Sequence, residues 1–531
     1  MARLKLIFFS TLVALLSYGT VWDAYAIETG IRPAITAAQP VAQKLSDIRA
    51  LNNPPGVTNL TQQIYGDFHT LVRTQKIAVA DAVKKQRVAL AAHPDVAEVR
   101  ELKGNNLFVR FKDNNELLML MGDQALGGSP DDSLVLAQND PPLVTTTTQV
   151  QGTMTGTSTV QAIFPTPLPA LWSASPYALV FDTLRDDMNV LNPLISDQVA
   201  DVLKRSGYSV HTVYNDAASV NQASMIDDTG YGLVFLRGHG GSLGNDFAFM
   251  VRPWYASYPA VSGYTGTIRV SADNHKSGKV EYAYAITGAF ASTYWKKRFP
   301  GTVFFLESCH GTDPGALPGM PTWVLNHGAS AWFGWNDLVT FNCGDNGSKL
   351  FFDQAFARGK TIAESLQAVS NTGCRPPDLS MHSLNPGAMG AQKFNPWMVD
   401  EEQNAARDIR SVNLFTQGNN LYANIYYGFR NSASPEGIEL FVDGNNDGVY
   451  EFLVKCHDAV YEVNTLSGQR VYNTKVFASA PVRTDLGGGW NSYLLDIPWD
   501  TLGSGPARVS VNDVTGGDKA PNSGFYTGRR N

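Results

Sequence analysis

The chain has 531 residues, of which 44% are hydrophobic and 17% are charged, and its net charge is −7 at pH 7. This length is enough for about three domains of ordinary size. The negative charge is spread along the chain, and the basic run VKKQR, Val83–Arg87, is short. Nucleic acid is therefore excluded as an expected partner, because it would require a large basic surface.

The first 26 residues have the pattern of a secretory signal. Arg3 and Lys5 precede an apolar run from Leu6 to about Leu16, and the small-residue motif Ala24–Ala26 follows. The apolar run is too short for a membrane span, which needs about 20 residues. We expect a mature chain that begins near Ile27, has no transmembrane segment, and is secreted, periplasmic or held at the cell surface.

Residues 27–124 are predicted to form a small α/β domain that resembles a propeptide. A helical pattern up to His93 precedes two alternating stretches, VAEVREL and NLFVRFKDNNELLMLMG, with a predicted turn at Asp113–Asn115. Residues 125–175 are rich in Gly, Pro, Ser and Thr, which predicts a linker. No lysine or arginine lies between Lys112 and Arg185. Self-cleavage after a basic residue would therefore have to occur at or before Lys112.

Residues 176–398 alternate between strand and helix patterns, which predicts an α/β domain with a mostly parallel sheet. The predicted strands are YALVFDT, YSVHTVYN, YGLVFLRG, TVFFLES and ASAWFGW, and the clearest helix is LISDQVADVLKRSG. A hairpin is predicted in TIRVSAD and KVEYAYAIT, beside the site described next. Residues 399–531 contain short strands separated by Gly, Asn and Asp turns, which predict an all-β sandwich.

A histidine and a cysteine follow two of the predicted buried strands. GLVFLRG leads into His239, and TVFFLES is followed by Cys309. Ligands of a parallel α/β sheet bind at the carboxyl ends of its strands, so we expect these side chains to meet. An imidazole beside a thiol can take its proton and later protonate the departing amine. The alternative is a turn histidine and a cysteine that serves as a small buried apolar residue.

The two motifs together resemble the caspase-like cysteine peptidases of clan CD, which include gingipains, clostripain, legumains, separases and caspases. In that family an apolar strand ends in His-Gly, and a later apolar strand ends in a small residue and cysteine. VFLRGHGG and VFFLESCHG match the two halves in this order. The order of the strands extends the resemblance over residues 175–395.

The resemblance implies a caspase-like sheet flanked by helices and a catalytic dyad of His239 and Cys309. It also implies an oxyanion hole formed by the backbone N–H groups of Gly240 and Cys309. The substrate would then be a protein or peptide, and the chemistry would require no cofactor. We expect His310 to lie behind the site or in solvent, because neighbouring residues of an extended segment point to opposite sides.

Two acidic residues are candidates for the pocket that binds the substrate side chain, since family members that cut after basic residues carry acids there. Glu307 lies two residues before Cys309 and should face the same side of its strand. Asp337 follows the strand ASAWFGW, and Trp332 or Trp335 of this strand could form the pocket wall. The alternative is that both acids are solvated residues at strand ends.

Four cysteines are present in the chain. Cys343 and Cys374 flank a predicted helical segment and are the pair that we expect to form a disulfide, which leaves Cys309 and Cys456. A secreted chain could also form two bridges or none. A free cysteine in an oxidising compartment is at risk of oxidation, so its presence suggests either a buried position or a function.

The loop DGNNDG offers oxygen ligands at Asp443, Asn445 and Asp447, as at the start of a calcium-binding loop. The twelfth position is Val454, where an EF-hand requires glutamate, and the flanking segments are predicted strands. A hairpin turn and a calcium site in a β-loop both remain open. The sequence lacks the motifs of serine hydrolases, P-loop proteins and HExxH metalloproteases.

The primary hypothesis is a secreted cysteine endopeptidase, for which selectivity for basic residues before the scissile bond is one option. One alternative is a secreted binding or adhesion protein that has an inactive caspase-like domain and acts through its C-terminal β-sandwich. A second is a processing enzyme that cleaves itself or a single partner. The sequence leaves the oligomeric state open.

Overall fold

The computed structural model describes residues 55–121, 175–399 and much of 407–528, with gaps inside these ranges. The predicted signal and almost all of the predicted linker lie outside the described residues. Pro55–Tyr258 and Gly263–Asn531 belong to one compact unit. Within the described ranges, no helix has the length and apolar character needed to cross a membrane.

The N-terminal part is built from two helices and a three-stranded antiparallel meander. Its elements are α1 (Pro55–His69), a π-helical turn (Thr70–Thr74), α2 (Val79–Ala91), β1 (Val96–Leu102), β2 (Asn106–Phe111) and β3 (Glu116–Met119). The turn between β2 and β3 is closed where Asn115 N–H donates to Asp113 Oδ1 at 3.0 Å. The strands and this turn lie where the alternating sequence predicts them.

Strands and helices alternate through the next part of the chain. Its elements are β4 (Tyr177–Asp182), α3 (Ile195–Arg205), β5 (Ser209–Tyr214), a 3-10 turn (Asn215–Ala217), α4 (Val220–Ala223), β6 (Leu233–Arg237), β7 (Gly240–Ser242), β8 (Phe247–Tyr255), β9 (Thr267–Asn274), β10 (Lys279–Ile286), α5 (Gly288–Tyr294), β11 (Val303–Glu307), α6 (Met320–Asn326), β12 (Ala331–Trp335), α7 (Phe341–Phe352), a π-helical turn (Asp353–Ala357), α8 (Ile362–Ser370), β13 (Leu379–His382), α9 (Pro386–Gly390) and β14 (Met398–Val399). The chain is therefore of the mixed α/β class.

A six-stranded sheet in the order β13–β12–β11–β6–β4–β5 forms the centre of this part. Its strands are parallel except β13, which runs antiparallel to β12. Alternate residues pack into two separate cores: Phe235 and Phe305 face α3, α7 and α8, whereas Leu236 and Phe304 face α4, α5, α6 and β8. Both faces are covered, which explains why these strands are continuous apolar runs in the sequence.

A second sheet joins the N-terminal part to the middle of the chain, in the order β1–β2–β3–β9–β10–β8–β7. The predicted hairpin is present as β9 and β10, and β9 pairs in parallel with β3. The helices α1 and α2 pack on this sheet through a core shared by Phe68, Leu117 and Tyr282. The sheet and its core thus continue across the boundary predicted at residue 124.

The C-terminal part contains two antiparallel sheets. Its elements are β15 (Arg407–Gln417), β16 (Asn420–Phe429), β17 (Ile438–Asp443), β18 (Phe452–His457), β19 (Val460–Thr465), β20 (Ala478–Ser479), β21 (Val482–Gly487), β22 (Trp490–Pro498), α10 (Trp499–Leu502), β23 (Ala507–Asp513), β24 (Asp518–Ala520) and β25 (Tyr526–Gly528). One sheet has the order β14–β15–β16–β22–β21, and the other has the order β20–β19–β18–β17–β23–β24, with β25 also on β23. Strand β15 of the first sheet contacts β24 and β25 of the second.

Candidate functional site

His239 and Cys309 line the same small cavity, although they are far apart in the sequence. They follow the carboxyl ends of β6 and β11, which are neighbouring parallel strands. Gly238 N–H donates to Glu307 O at 3.2 Å, which extends the contact between the two strands to the residue before the histidine. His239 is 3% exposed and Cys309 is 7% exposed. The sheet therefore brings together the two side chains that the sequence selects as a dyad.

Two aromatic rings enclose the imidazole. The His239 ring meets Phe341 edge-on at 5.6 Å and Trp254 at 6.2 Å between ring centroids. Phe341 also lines the cavity and is the first residue of α7. These contacts limit the orientations of the imidazole and reduce the access of water to the site.

The sulfur of Cys309 lies beside the backbone that leads into α7. Val339 N–H donates to Cys309 Sγ at 3.3 Å, and the Val339 carbonyl oxygen lies 3.5 Å from the sulfur as an acceptor. Thr340 caps the helix by accepting from Cys343 N–H through its side chain. One backbone donor and one backbone acceptor therefore flank the sulfur, directly before the first turn of the 12-residue helix α7.

A row of charged residues crosses the sheet at the edge of the cavity. Asp182, Arg237 and Glu307 end β4, β6 and β11, and they are in register with one another. The Arg237 guanidinium lies 3.2 Å from Asp182 and 2.7 Å from Glu307, and Asp345 of α7 binds it at 2.9 Å. All four side chains are at most 5% exposed. Arg237 thus links the ends of three strands to the helix beside the sulfur.

The charges in this cluster do not balance, because three carboxylates surround one guanidinium. Burial raises the pKa of Glu307 well above its ordinary value, and nearby Asp345 raises it further, whereas Arg237 opposes both effects. The carboxylates in turn raise the pKa of Arg237, against the effect of burial. Glu307 is therefore the group of the cluster in which a proton is most readily retained.

Of the two predicted pocket acids, Glu307 lines the cavity and Asp337 does not. The Asp337 side chain is 51% exposed and accepts from its neighbour Leu338 N–H at 2.8 Å. Its carbonyl oxygen accepts from His310 N–H at 3.1 Å. Asp337 therefore belongs to the turn after β12, which is the position that the alternative interpretation gave it.

The two predicted wall residues are fully buried on opposite faces of the central sheet. Trp332 packs in the core that contains Phe304, and its Nε1–H donates to Gly311 O at 2.6 Å. Trp335 packs in the other core, which also contains Cys309. Neither ring lines the cavity among the residues described. Both side chains therefore act as core residues here, and their role in a pocket wall stays a prediction.

His310 is fully buried, so of its two expected positions, behind the site or in solvent, the solvent-exposed one is excluded. Its φ of 59° turns the chain away from the extended conformation directly after Cys309. Its Nδ1 lies 3.3 Å from Asp313 Oδ2 and 3.8 Å from Asp337 Oδ1. It is not among the residues that line the cavity, which agrees with the expected position behind the site.

Gly240, the first residue of β7, lies directly against the strand end that carries the cysteine. A Cβ atom built at Gly240 would come within 2.1 Å of Ser308 Oγ and 2.7 Å of the Phe247 ring. Only glycine fits this approach without displacing a neighbour. The proposed role of the Gly240 and Cys309 N–H groups in an oxyanion hole stays a prediction.

The remaining predicted sites are described only in part. Cys343 is disulfide-bonded, whereas Cys374, its predicted partner, lies outside the described residues. Asp443 ends β17 and is 1% exposed, and Asn445 and Asp447 also lie outside the described residues. Among the residues described, no group of His, Cys, Asp and Glu is arranged to hold a metal ion. The calcium site stays a prediction.

Sequence reasoning missed several residues of the site, namely Arg237, Asp182, Asp345, Val339, Trp254 and Phe341. For Asp182 and Arg237, the sequence does contain a signal in the charged residues that end the apolar strands. Three of the apolar strands end in a charged residue, in YALVFD, LVFLR and VFFLE. Opposite charges at the ends of neighbouring buried strands predict an ion pair at their common edge.

Comparison with known proteins gives one distant likeness. No protein-family model and no curated protein matches the chain. Among solved structures, the complex of the pro- and mature domains of RgpB from Porphyromonas gingivalis is similar over 68% of this chain and 69% of that chain. The sequence identity is 8% and the TM-score is 0.27. A likeness this distant supports no inference about activity. Any inference about activity therefore rests on the geometry of this chain.

Proposed function

We propose that this protein is a cysteine endopeptidase of the caspase-like type, with Cys309 as nucleophile and His239 as general base and acid. The observation that carries the proposal is the meeting of these two side chains in one cavity at the ends of adjacent parallel strands. This is the position in which an open α/β sheet binds its ligands.

In the reaction, His239 takes the thiol proton as Cys309 Sγ attacks the carbonyl carbon of the scissile peptide bond. The same imidazole then protonates the departing amine, which leaves an acyl-enzyme. His239 next removes a proton from water, which attacks the thioester and regenerates the thiol. The Gly240 and Cys309 N–H groups bind the oxyanion, a contribution typically worth about 3 kcal/mol per donor.

The charge of the cavity favours a basic side chain before the scissile bond. Arg237 and Glu307 both line it, and a substrate cation beside Glu307 would favour its ionised form, in which the three carboxylates outweigh the single positive charge of Arg237. A substrate guanidinium or ammonium group would compensate this charge, whereas an acidic side chain would be repelled. Because Glu307 lines the cavity and Asp337 does not, this role is proposed for Glu307.

The test is digestion of a peptide library by the wild-type chain and by Cys309→Ala, with mapping of the cut sites. We expect cuts by the wild type, enriched after lysine and arginine, and none by Cys309→Ala with an unchanged circular dichroism spectrum. Retained hydrolysis by Cys309→Ala would refute the proposal. Cuts without enrichment after basic residues would refute only the role of the carboxylate cluster.

A further inference from the structure

The N-terminal strands reach the segment that carries the catalytic histidine. Strand β7 starts at Gly240, directly after His239. A Cβ atom built at Gly241 would lie 3.3 Å from Leu120 Cδ2 and 3.4 Å from Asn106 Nδ2. Asn106 opens β2 and Leu120 follows β3, so the second and third strands of the seven-stranded sheet approach β7, its last strand. The sheet therefore curves so that its N-terminal strands come close to the strand that begins directly after His239.

Backbone pairing and hydrogen bonds fix the N-terminal strands in the sheet. Leu117–Met119 pair in parallel with Arg269–Ser271 of β9, and Leu120 N–H continues the ladder to Ser271 O at 3.1 Å. The Tyr65 hydroxyl of α1 donates to the same Ser271 oxygen at 2.8 Å. The Tyr258 hydroxyl donates to Glu116 O at 2.9 Å. Separation would leave β3 and β9 with unpaired buried backbone groups, which is costly.

The apolar cores on both faces of this sheet are also shared. Tyr282 of β10 is fully buried among residues of α1, α2 and β2, and Leu118 and Leu120 are buried with Ala283 and Ala285 on the inner face. Removing residues 55–121 would expose both cores to water. The N-terminal part is therefore bound as tightly as an element of a domain core.

The N-terminal part does not obstruct the dyad within the described structure. The described residues that line the cavity run from Leu184 to Gly344, and none belongs to residues 55–121. An inhibitory propeptide acts by occupying the substrate site. Here the contact is made instead two residues after the histidine, where Leu120 approaches Gly241.

We propose that residues 55–121 are a permanent positioning part of the enzyme, which closes the curved sheet against β7 and thereby holds His239 towards Cys309. Cutting between this part and residue 175 leaves it bound and leaves activity unchanged. The permanent binding of residues 55–121 does not depend on the proposed peptidase function, whereas their effect on His239 rests on it. Residues 55–121 bind the rest of the chain at two places, namely the edge of β9, which pairs with β3, and Gly241, which Leu120 approaches.

The first experiment tests binding. A recognition sequence for a specific protease is inserted between Gly127 and Gly128 of the full chain, and complete cutting is verified on a denaturing gel. Native mass spectrometry should then show both fragments as one complex, with unchanged peptide hydrolysis. Release of the N-terminal fragment, or a rise in activity on cutting, would overturn the inference. Absence of hydrolysis before and after cutting would refute the peptidase proposal and not the permanent association.

The second experiment tests positioning with a matched pair of variants. Leu120→Ala removes the contact on Gly241, whereas Leu107→Ala removes an equally buried leucine on the opposite face of the same sheet. Leu120→Ala should lower kcat about tenfold with little change in KM, because small displacements of catalytic groups are costly. Leu120→Met should restore kcat, and Leu107→Ala should leave kcat unchanged. Equal kcat values for both alanine variants would refute the positioning role.

Discussion

Arg237→Gln is expected to destabilise the protein strongly, because it removes the only cation seen to bind Asp182, Glu307 and Asp345 among the described residues. The guanidinium is 1% exposed and the three acids are at most 5% exposed. Breaking a buried ion pair on one side typically costs about 3–5 kcal/mol, since the remaining charge stays buried. We expect a loss of this size in denaturant unfolding at pH 8.

The loss should depend on pH in a defined direction. The pKa of Glu307 is raised in the folded protein. Folding therefore favours the protonated acid, and the protein loses stability as pH rises through the folded-state pKa and Glu307 ionises. Arg237→Gln raises this pKa further by removing the opposing cation. The variant should therefore lose less stability at pH 5 than at pH 8. Adding Glu307→Gln, which mimics the protonated acid, should recover part of the loss at pH 8.

Arg185→Gln is the matched control. Arg185 also binds a carboxylate with two hydrogen bonds, at 2.7 and 2.8 Å from Asp197, but it is 21% exposed. Partly exposed ion pairs typically contribute about 0–1 kcal/mol. A loss for Arg237→Gln no larger than for Arg185→Gln, or one that does not change between pH 5 and pH 8, would refute the electrostatic account of the cluster.

Two further variants test the geometry of the cavity. Phe341→Ala removes a ring that covers the imidazole, so iodoacetamide should react faster with the Cys309 thiol. Phe356→Ala removes a ring that is not among the residues lining the cavity and should leave the rate unchanged. Equal rates in the two variants would contradict this. Gly240→Ala places a Cβ atom 2.1 Å from Ser308 Oγ and should abolish peptide hydrolysis, whereas Gly390→Ala, with its nearest neighbour at 3.7 Å, should retain it. Full activity in Gly240→Ala would show that this close approach is not required.

The strand pattern of the sequence was sufficient to predict two strand ends that line one cavity in the structure. Apolar runs that end in Arg-Gly-His and Glu-Ser-Cys define β6 and β11, and strand alternation puts Glu307 and Cys309 on the same side. The same alternation puts Trp332 and Trp335 on opposite faces, because they are an odd number of residues apart. Only one of them could therefore face a given pocket, in keeping with the prediction of Trp332 or Trp335 as alternatives.

The sequence could not predict contacts that depend on long-range pairing. The ion cluster requires the order β11–β6–β4 and the placement of α7, and no local pattern encodes either. Strand β8 was missed because Pro253 interrupts its apolar run, which normally argues against a strand. The predicted boundary at residue 124 followed a change in composition, whereas β3 and β9 pair across it.

The central claim is that the His239 imidazole activates the Cys309 thiol, and the reaction of this thiol with iodoacetamide tests it most directly. The rate at pH 7 is measured for the wild type and for His239→Ala, with the modified residue located by mass spectrometry. An ordinary thiol is only about 3% ionised at this pH, so activation can raise the rate up to about 30-fold. We expect the wild-type thiol to react much faster than a free thiol, and the rate to fall to that of a free thiol in His239→Ala. Equal rates in the two proteins would contradict it.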